Sequence, residues 1–149
     1  MEIEDIRESH RLLAGRDVVS GLATERGDVR EELEREVRGK LIRLRAEYAA
    51  AAADGKILGE LLARATGTFL VFFRAALRLA GCQRPPDAEV LVREAAGLAG
   101  FDATAFDWPL AARAGVRKHA VLAPYDPVAA AYLAAAEKFV GYVNDLADG

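Results

Sequence analysis

The sequence predicts an all-α protein, an antiparallel up-and-down bundle of five to six helices. Three observations carry that prediction. Alanine is abundant while aromatic and β-branched residues are sparse, a balance that favours helix over strand. Apolar residues recur three or four positions apart through the charged stretch Glu31–Tyr48 and crowd the run that follows it. Turn and cap signatures, Asp54-Gly55, Gly81 before Pro85-Pro86, and Asp126-Pro127, fall between the periodic runs. With 149 residues, 52% of them hydrophobic and 29% charged, the chain has the balance of one globular domain and not of a disordered one.

In chain order, Ile3, Ile6, Leu12 and Leu13 among charges predict a short helix over 2–13, with Gly15 just past its end. The two glycines of RDVVSGLATERG, 16–27, predict a loop or a single helical turn, so that 1–27 is an N-terminal helix and loop. Residues 28–80 are expected to form a central helical hairpin. Asp28 is the expected cap, Glu31, Glu32 and Glu34 lie in the first turns, and Lys40, Arg43 and Arg45 come later, an order that complements the helix dipole. Val29, Leu33, Val37, Leu41, Leu44 and Tyr48 form its buried stripe. After the Asp54-Gly55 turn, a second helix from about Lys56 to Ala80 is apolar over most of its circumference, including Ile57, as suits the centre of a bundle.

Residues 86–149 supply packing helices. Asp87 caps Ala88–Leu98, with Val90, Leu91, Ala95 and Leu98 inward. Asp102 starts a short helix through Phe106, and Trp108-Pro109 interrupts or restarts it. Residues 114–124 are the least regular part. Asp126 followed by Pro127 opens the last helix, which runs to about Leu146 with Tyr132, Leu133, Ala136, Phe139, Val140 and Val143 on its core face. Folding the hairpin about Asp54 places Lys40 opposite Thr68, Arg43 near Arg64, and Glu34 near Arg74 as a cross-hairpin ion pair.

Charge is unevenly spread. Residues 1–37 carry a net −5, residues 38–84 a net +6 and residues 85–149 a net −4. The whole chain, at −3, has no drive toward nucleic acid, but the middle of the hairpin is locally positive and attracts an anionic ligand. Glu36, Lys40 and Arg43 share one face, and with Arg64 of the next helix they are the candidate ligand-binding groove; the alternative is that these charges only find ion-pair partners in Glu36 and Glu60.

Catalytic constellations are missing. The sequence contains no glycine-rich phosphate loop, no HExxH, no CxxC and no Asp-x-Asp pair. No catalytic residue, metal ligand or cofactor is therefore assigned, and His10 and His119 are read as structural. The single cysteine, Cys82, excludes an intrachain disulfide and fits a reducing, cytoplasmic setting. The start MEIEDIRESH lacks the apolar core of a signal peptide. Only nine uncharged residues separate Arg64 from Arg74, against the ~20 that a membrane span needs.

Three segments, HRLLAGRDVVSGL, LEREVRGKLIRLRAEY and LLARATGTFLVFFRAALRLAG, together resemble the helical C-terminal region that follows a nucleotidyltransferase domain in bacterial proteins. That region is similar to nucleotidyltransferase substrate-binding domains, bundles of four or five helices. The resemblance spans roughly residues 5–146. It is carried by H-R-x-L-x-G-x-D (His10, Arg11, Leu13, Gly15, Asp17) and R-G-K-L-x-x-L-R (Arg38, Gly39, Lys40, Leu41, Leu44, Arg45). It implies a non-catalytic substrate-binding or accessory domain, whose partner, a nucleotidyltransferase catalytic domain in the same or a separate chain, supplies metal, nucleotide and chemistry. It assigns no residue as a ligand contact. One alternative is a homodimeric helical interaction module. The other rests on Arg113-x5-His119, whose spacing resembles the ribonuclease motif of HEPN-type toxins; Ala114 and Gly115 depart from that pattern.

Overall fold

The computed structural model describes the backbone of residues 18–115 and 121–148, and the side chains of residues 27–115 and 121–146. These residues form five α-helices and one 3-10 turn, with no strand among them. The helices are α1 (Val18–Ala51), α2 (Gly55–Leu79), α3 (Ala88–Ala99), α4 (Asp107–Arg113) and α5 (Pro127–Asp148); the 3-10 turn, Ala103–Phe106, leads directly into α4. The all-α class expected from the sequence is the class observed. The expected helix over 2–13, the H-R-x-L-x-G-x-D word, His10 and His119 lie outside the described residues.

The main departure is at the start of α1. The sequence predicts a loop or a single helical turn over 16–27, with Asp28 as cap. Instead the helix runs through Gly21 and Gly27, and Asp28 is interior to it. A glycine costs a helix only about 1 kcal/mol relative to alanine, too little by itself to stop one. Downstream the stripe is as expected, with Val29, Leu33, Val37, Leu41 and Leu44 buried and Tyr48 packed at its edge.

Asp54 caps α2. Its Oδ1 accepts from the backbone N–H groups of Lys56 and Ile57 at 3.1 and 3.2 Å, satisfying donors that a helix start leaves open. At the far end, Gly81 adopts φ 77°, and the N–H groups of Gly81 and Cys82 donate back to the Arg78 and Leu77 carbonyls, a Schellman stop. Leu58, Leu61, Leu62, Phe69, Leu70, Phe72, Phe73, Ala76 and Leu77 are all buried, so α2 is the central helix; Ile57, expected on the apolar surface, is instead exposed beside the cap.

The third long helix, α5, runs antiparallel to α1. Arg30 Nη1 donates to the Leu146 carbonyl at 3.3 Å, Arg38 Nε to Asn144 Oδ1 at 3.0 Å and Arg45 Nε to Glu137 Oε1 at 3.2 Å. Against α2 it runs parallel, since Thr66 meets Tyr132 and Phe73 meets Phe139. The chain must therefore travel back along the bundle between α2 and α5, and α3, the 3-10 turn and α4 make that return. Asp87 and Asp102 cap the first two of these, each through Oδ1 at 3.0 Å. The buried side of α3 is Leu91, Val92, Ala95 and Ala96, rotated from the expected set: Val90 and Leu98 are only half-buried.

The core is an aromatic cluster. The Phe69 ring meets Phe72, Phe73, Phe106, Tyr132 and Phe139, mostly edge to face, at centroid separations of 5.7–6.4 Å. The one buried polar side chain among the described residues is Thr66. Its hydroxyl donates to the Leu62 carbonyl at 2.7 Å, which leaves a lone pair for the Tyr132 hydroxyl, 3.1 Å away, to donate to.

Candidate functional site

The hairpin register fixes which side chains of α1 and α2 face each other. Glu36, Lys40 and Arg43 lie at i, i+4 and i+7 on α1, hence on one face. Across from them, α2 offers Gly67, Thr68, Val71 and Phe72, and the two rows enclose an open groove of about 470 Å³. Three of the four residues expected to converge, Glu36, Lys40 and Arg43, thus line one groove, and Lys40 stands across from Thr68 as the fold-back predicted. Arg64 is not among the lining residues. Its Nη2 reaches Glu47 Oε2 at 3.3 Å, and its charge is still felt at Lys40.

The charges around the groove separate into two groups. Arg38 pairs with Glu34 one helical turn back, Arg45 with Glu137 and Arg64 with Glu47. The expected Glu34–Arg74 bridge is not made, because the local i,i+4 geometry gives Glu34 a nearer guanidinium. Nor does Glu60 take Arg64. Lys40 and Arg43, by contrast, have no carboxylate within ion-pair distance among the described residues, although Glu36 is one turn from Lys40. Burial pushes the Lys40 ammonium below its ordinary pKa; Glu47 opposes that shift, while Arg43 and Arg64 add to it. Lys40 is half-buried and Arg43 exposed one turn on, and an anion between two neighbouring cations offsets their mutual repulsion. Glu36, on the same wall, supplies an acceptor for a hydroxyl or amine, and Thr68 lines the opposite wall.

Sequence spacing does not single out Gly67, which lines the groove from α2. The Arg113 guanidinium, reaching over from the end of α4, is not a lining residue but occupies the space a Cβ on Gly67 would need. A glycine between two threonines in the middle of a helix, Thr66-Gly67-Thr68, is the available signal: such a glycine marks a close approach. In the sequence Arg113 stands out only as half of an Arg–His spacing, and His119 lies outside the described residues.

A second groove, of about 380 Å³ between α3 and α4, is lined by Glu89, Arg93, Thr104 and Asp107 among others, with acids outnumbering bases. The Asp102 carboxylate beside it is held below its usual range by hydrogen bonds from the Thr104 hydroxyl and N–H, which is cap geometry. Among the described residues no three His, Cys, Asp or Glu side chains gather where they could hold a metal ion, and no helix is long and apolar enough to cross a membrane. The chain matches no protein-family model, no curated protein and no solved structure in the comparisons made.

Proposed function

We propose that this chain is a non-catalytic helical binding module whose α1/α2 groove takes an anionic group of a substrate, and that it serves as the substrate-binding or accessory domain of a nucleotidyltransferase system. The observation that carries the binding part is the pair Lys40 and Arg43. They line an open groove with no carboxylate at ion-pair distance among the described residues, while Arg38, Arg45 and Arg64 around them are paired. The nucleotidyltransferase setting is supported by the sequence resemblance, within which R-G-K-L-x-x-L-R contributes Lys40 itself. In that setting the partner catalytic domain brings metal, nucleotide and chemistry, and this chain presents the acceptor. A homodimeric module has less to rest on. The exposed large apolar side chains, Ile42, Ile57, Val71, Val121 and Tyr125, are spread over α1, α2 and the 121–126 loop, and singly exposed apolar residues are ordinary on a monomer surface.

The test is calorimetric titration with inorganic phosphate of the wild-type chain and of the double variant Lys40→Ala/Arg43→Ala. The expected outcome is binding that the double variant loses while its melting temperature stays within a few degrees of wild type, since neither side chain is in the core. A wild-type chain with no affinity for phosphate would overturn the reading.

A further inference from the structure

Arg113 has no role in the pairing scheme of the bundle. It is exposed, and it has no carboxylate within ion-pair distance among the described residues. Yet its position is defined. The guanidinium lies on the α2 backbone at Gly67, in space that exists only because Gly67 has no Cβ. Its charge is also felt at the Tyr132 hydroxyl, which is bonded to Thr66, the neighbouring residue. Gly67 in turn lines the groove that Lys40 and Arg43 line from the opposite helix. One turn of α2 therefore has α1 cations on one side and the α4 cation on the other.

We infer that Arg113 is the third cation of this groove, reaching across Gly67 to close it over a doubly charged phosphate monoester. The inference rests on the anion-binding reading above and extends it to a ligand class and a residue. Lys40, Arg43 and Arg113 set against Glu36 leave two positive charges in excess, which matches a dianion and exceeds what a carboxylate offers. A guanidinium also presents paired donors suited to phosphate oxygens. Gly67 then sets specificity by lack of a side chain: any Cβ there displaces the guanidinium from its seat beside the groove without disturbing the helix, because the atom it meets is the far end of a flexible side chain.

That last point gives a test in which function and stability move separately. Phosphate and acetate are titrated into wild type, Arg113→Ala, Arg113→Lys, Gly67→Ala and Lys40→Ala, with melting temperatures alongside. Wild type is expected to prefer phosphate over acetate. Arg113→Ala should weaken phosphate binding about tenfold, with Arg113→Lys recovering part of it, as loss of a charge-assisted contact requires. Gly67→Ala should weaken it in the same direction while its melting temperature holds or rises, since alanine is the better helix former. If both the Arg113→Ala and Gly67→Ala variants bind phosphate as wild type does while Lys40→Ala loses it, Arg113 is a bystander and only the groove stands. If acetate binds wild type as well as phosphate, the dianion class is wrong. If wild type binds neither, the anion-binding reading itself fails.

Discussion

Tyr132 shows how one hydroxyl ties the bundle together and what that implies for pH. Its ring is fully buried against Phe69 and Phe106, and its hydroxyl can leave the core unpaired or donate to Thr66; it donates. Burial pushes the phenol well above its ordinary value of 10, more than the Thr66 bond and the Arg113 charge pull it down. The folded chain therefore keeps a proton that the unfolded chain releases. This contribution to stability is complete below pH 10 and is lost as the pH rises above it, by about 1.4 kcal/mol for each pH unit. Tyr132→Phe should cost about 1 kcal/mol at pH 7, the net worth of one hydrogen bond, since Thr66 retains its bond to Leu62. It should also remove the steep part of the alkaline decline. Thermal melts of both proteins at pH 7, 10 and 11 check this. Parallel curves for the two proteins would show that the phenol does not limit alkaline stability.

At the scale of elements, the hairpin tip separates what the sequence can express from what it cannot. Asp54-Gly55 reads as a turn, and the cap it makes is local chemistry that short spacing encodes. What the spacing cannot express is that the Leu122 carbonyl sits where a Gly55 Cβ would be, with the Leu122 N–H donating to the Gly55 carbonyl at 3.2 Å and the Tyr125 N–H to the Ala52 carbonyl at 2.7 Å. The 121–126 loop is seated on the tip by contacts more than sixty residues apart in sequence. It is held in shape by Asp126, whose two carboxylate oxygens accept from Ala123 and Val128, and by Tyr125 at φ 57°, a conformation that costs most side chains energy. These two residues of the tip should respond in different ways. Asp54→Ala loses a cap and about 1 kcal/mol. Gly55→Ala would gain about 1 kcal/mol if helix propensity alone acted. Because the loop backbone is in the way, a net loss of about 1–3 kcal/mol is expected. Urea unfolding of both variants decides it, and a stabilised Gly55→Ala protein would mean that the loop is not seated there. The start of α1 departs from the sequence reading because two glycines read as breaks although each costs a helix only about 1 kcal/mol. The groove is legible only in part, since sequence spacing reaches local neighbours and the hairpin but not the return segment. Glu36, Lys40 and Arg43 follow from helical spacing and the fold-back, whereas the approach of Arg113 to Gly67 comes through the return segment, and the pairing of Arg64 with Glu47 lies outside the groove lining.

For the molecule as a whole, the arrangement of α1, α2 and α5 concentrates cohesion in few places. Of the three cross-helix contacts of α1 with α5, Arg45–Glu137 is an exposed ion pair, which contributes little to stability, while Arg38 bonds the Asn144 amide oxygen and Arg30 the Leu146 carbonyl; together they set the register. The apolar stripes do the rest, and they meet at Phe69. That ring touches side chains from its own helix, from the 3-10 turn and from α5, so it joins the hairpin, the return segment and the last helix in one contact set. Removing it should therefore act on every element at once. Phe69→Ala is expected to cost about 3–5 kcal/mol, the range for emptying a buried aromatic site, against a total stability of about 5–15 kcal/mol for a domain of this kind. By comparison, the groove variants Lys40→Ala and Arg43→Ala remove no buried ring and should leave unfolding within about 0.5 kcal/mol of wild type. The distinguishing measurement is urea unfolding followed both by far-UV circular dichroism and by the fluorescence of Trp108, which is half-buried in α4. Coincident transitions that shift together in Phe69→Ala would show one cooperative unit built on this ring. A Trp108 transition that moves while the helical signal stays in place would show instead that the return segment is held separately from the three long helices.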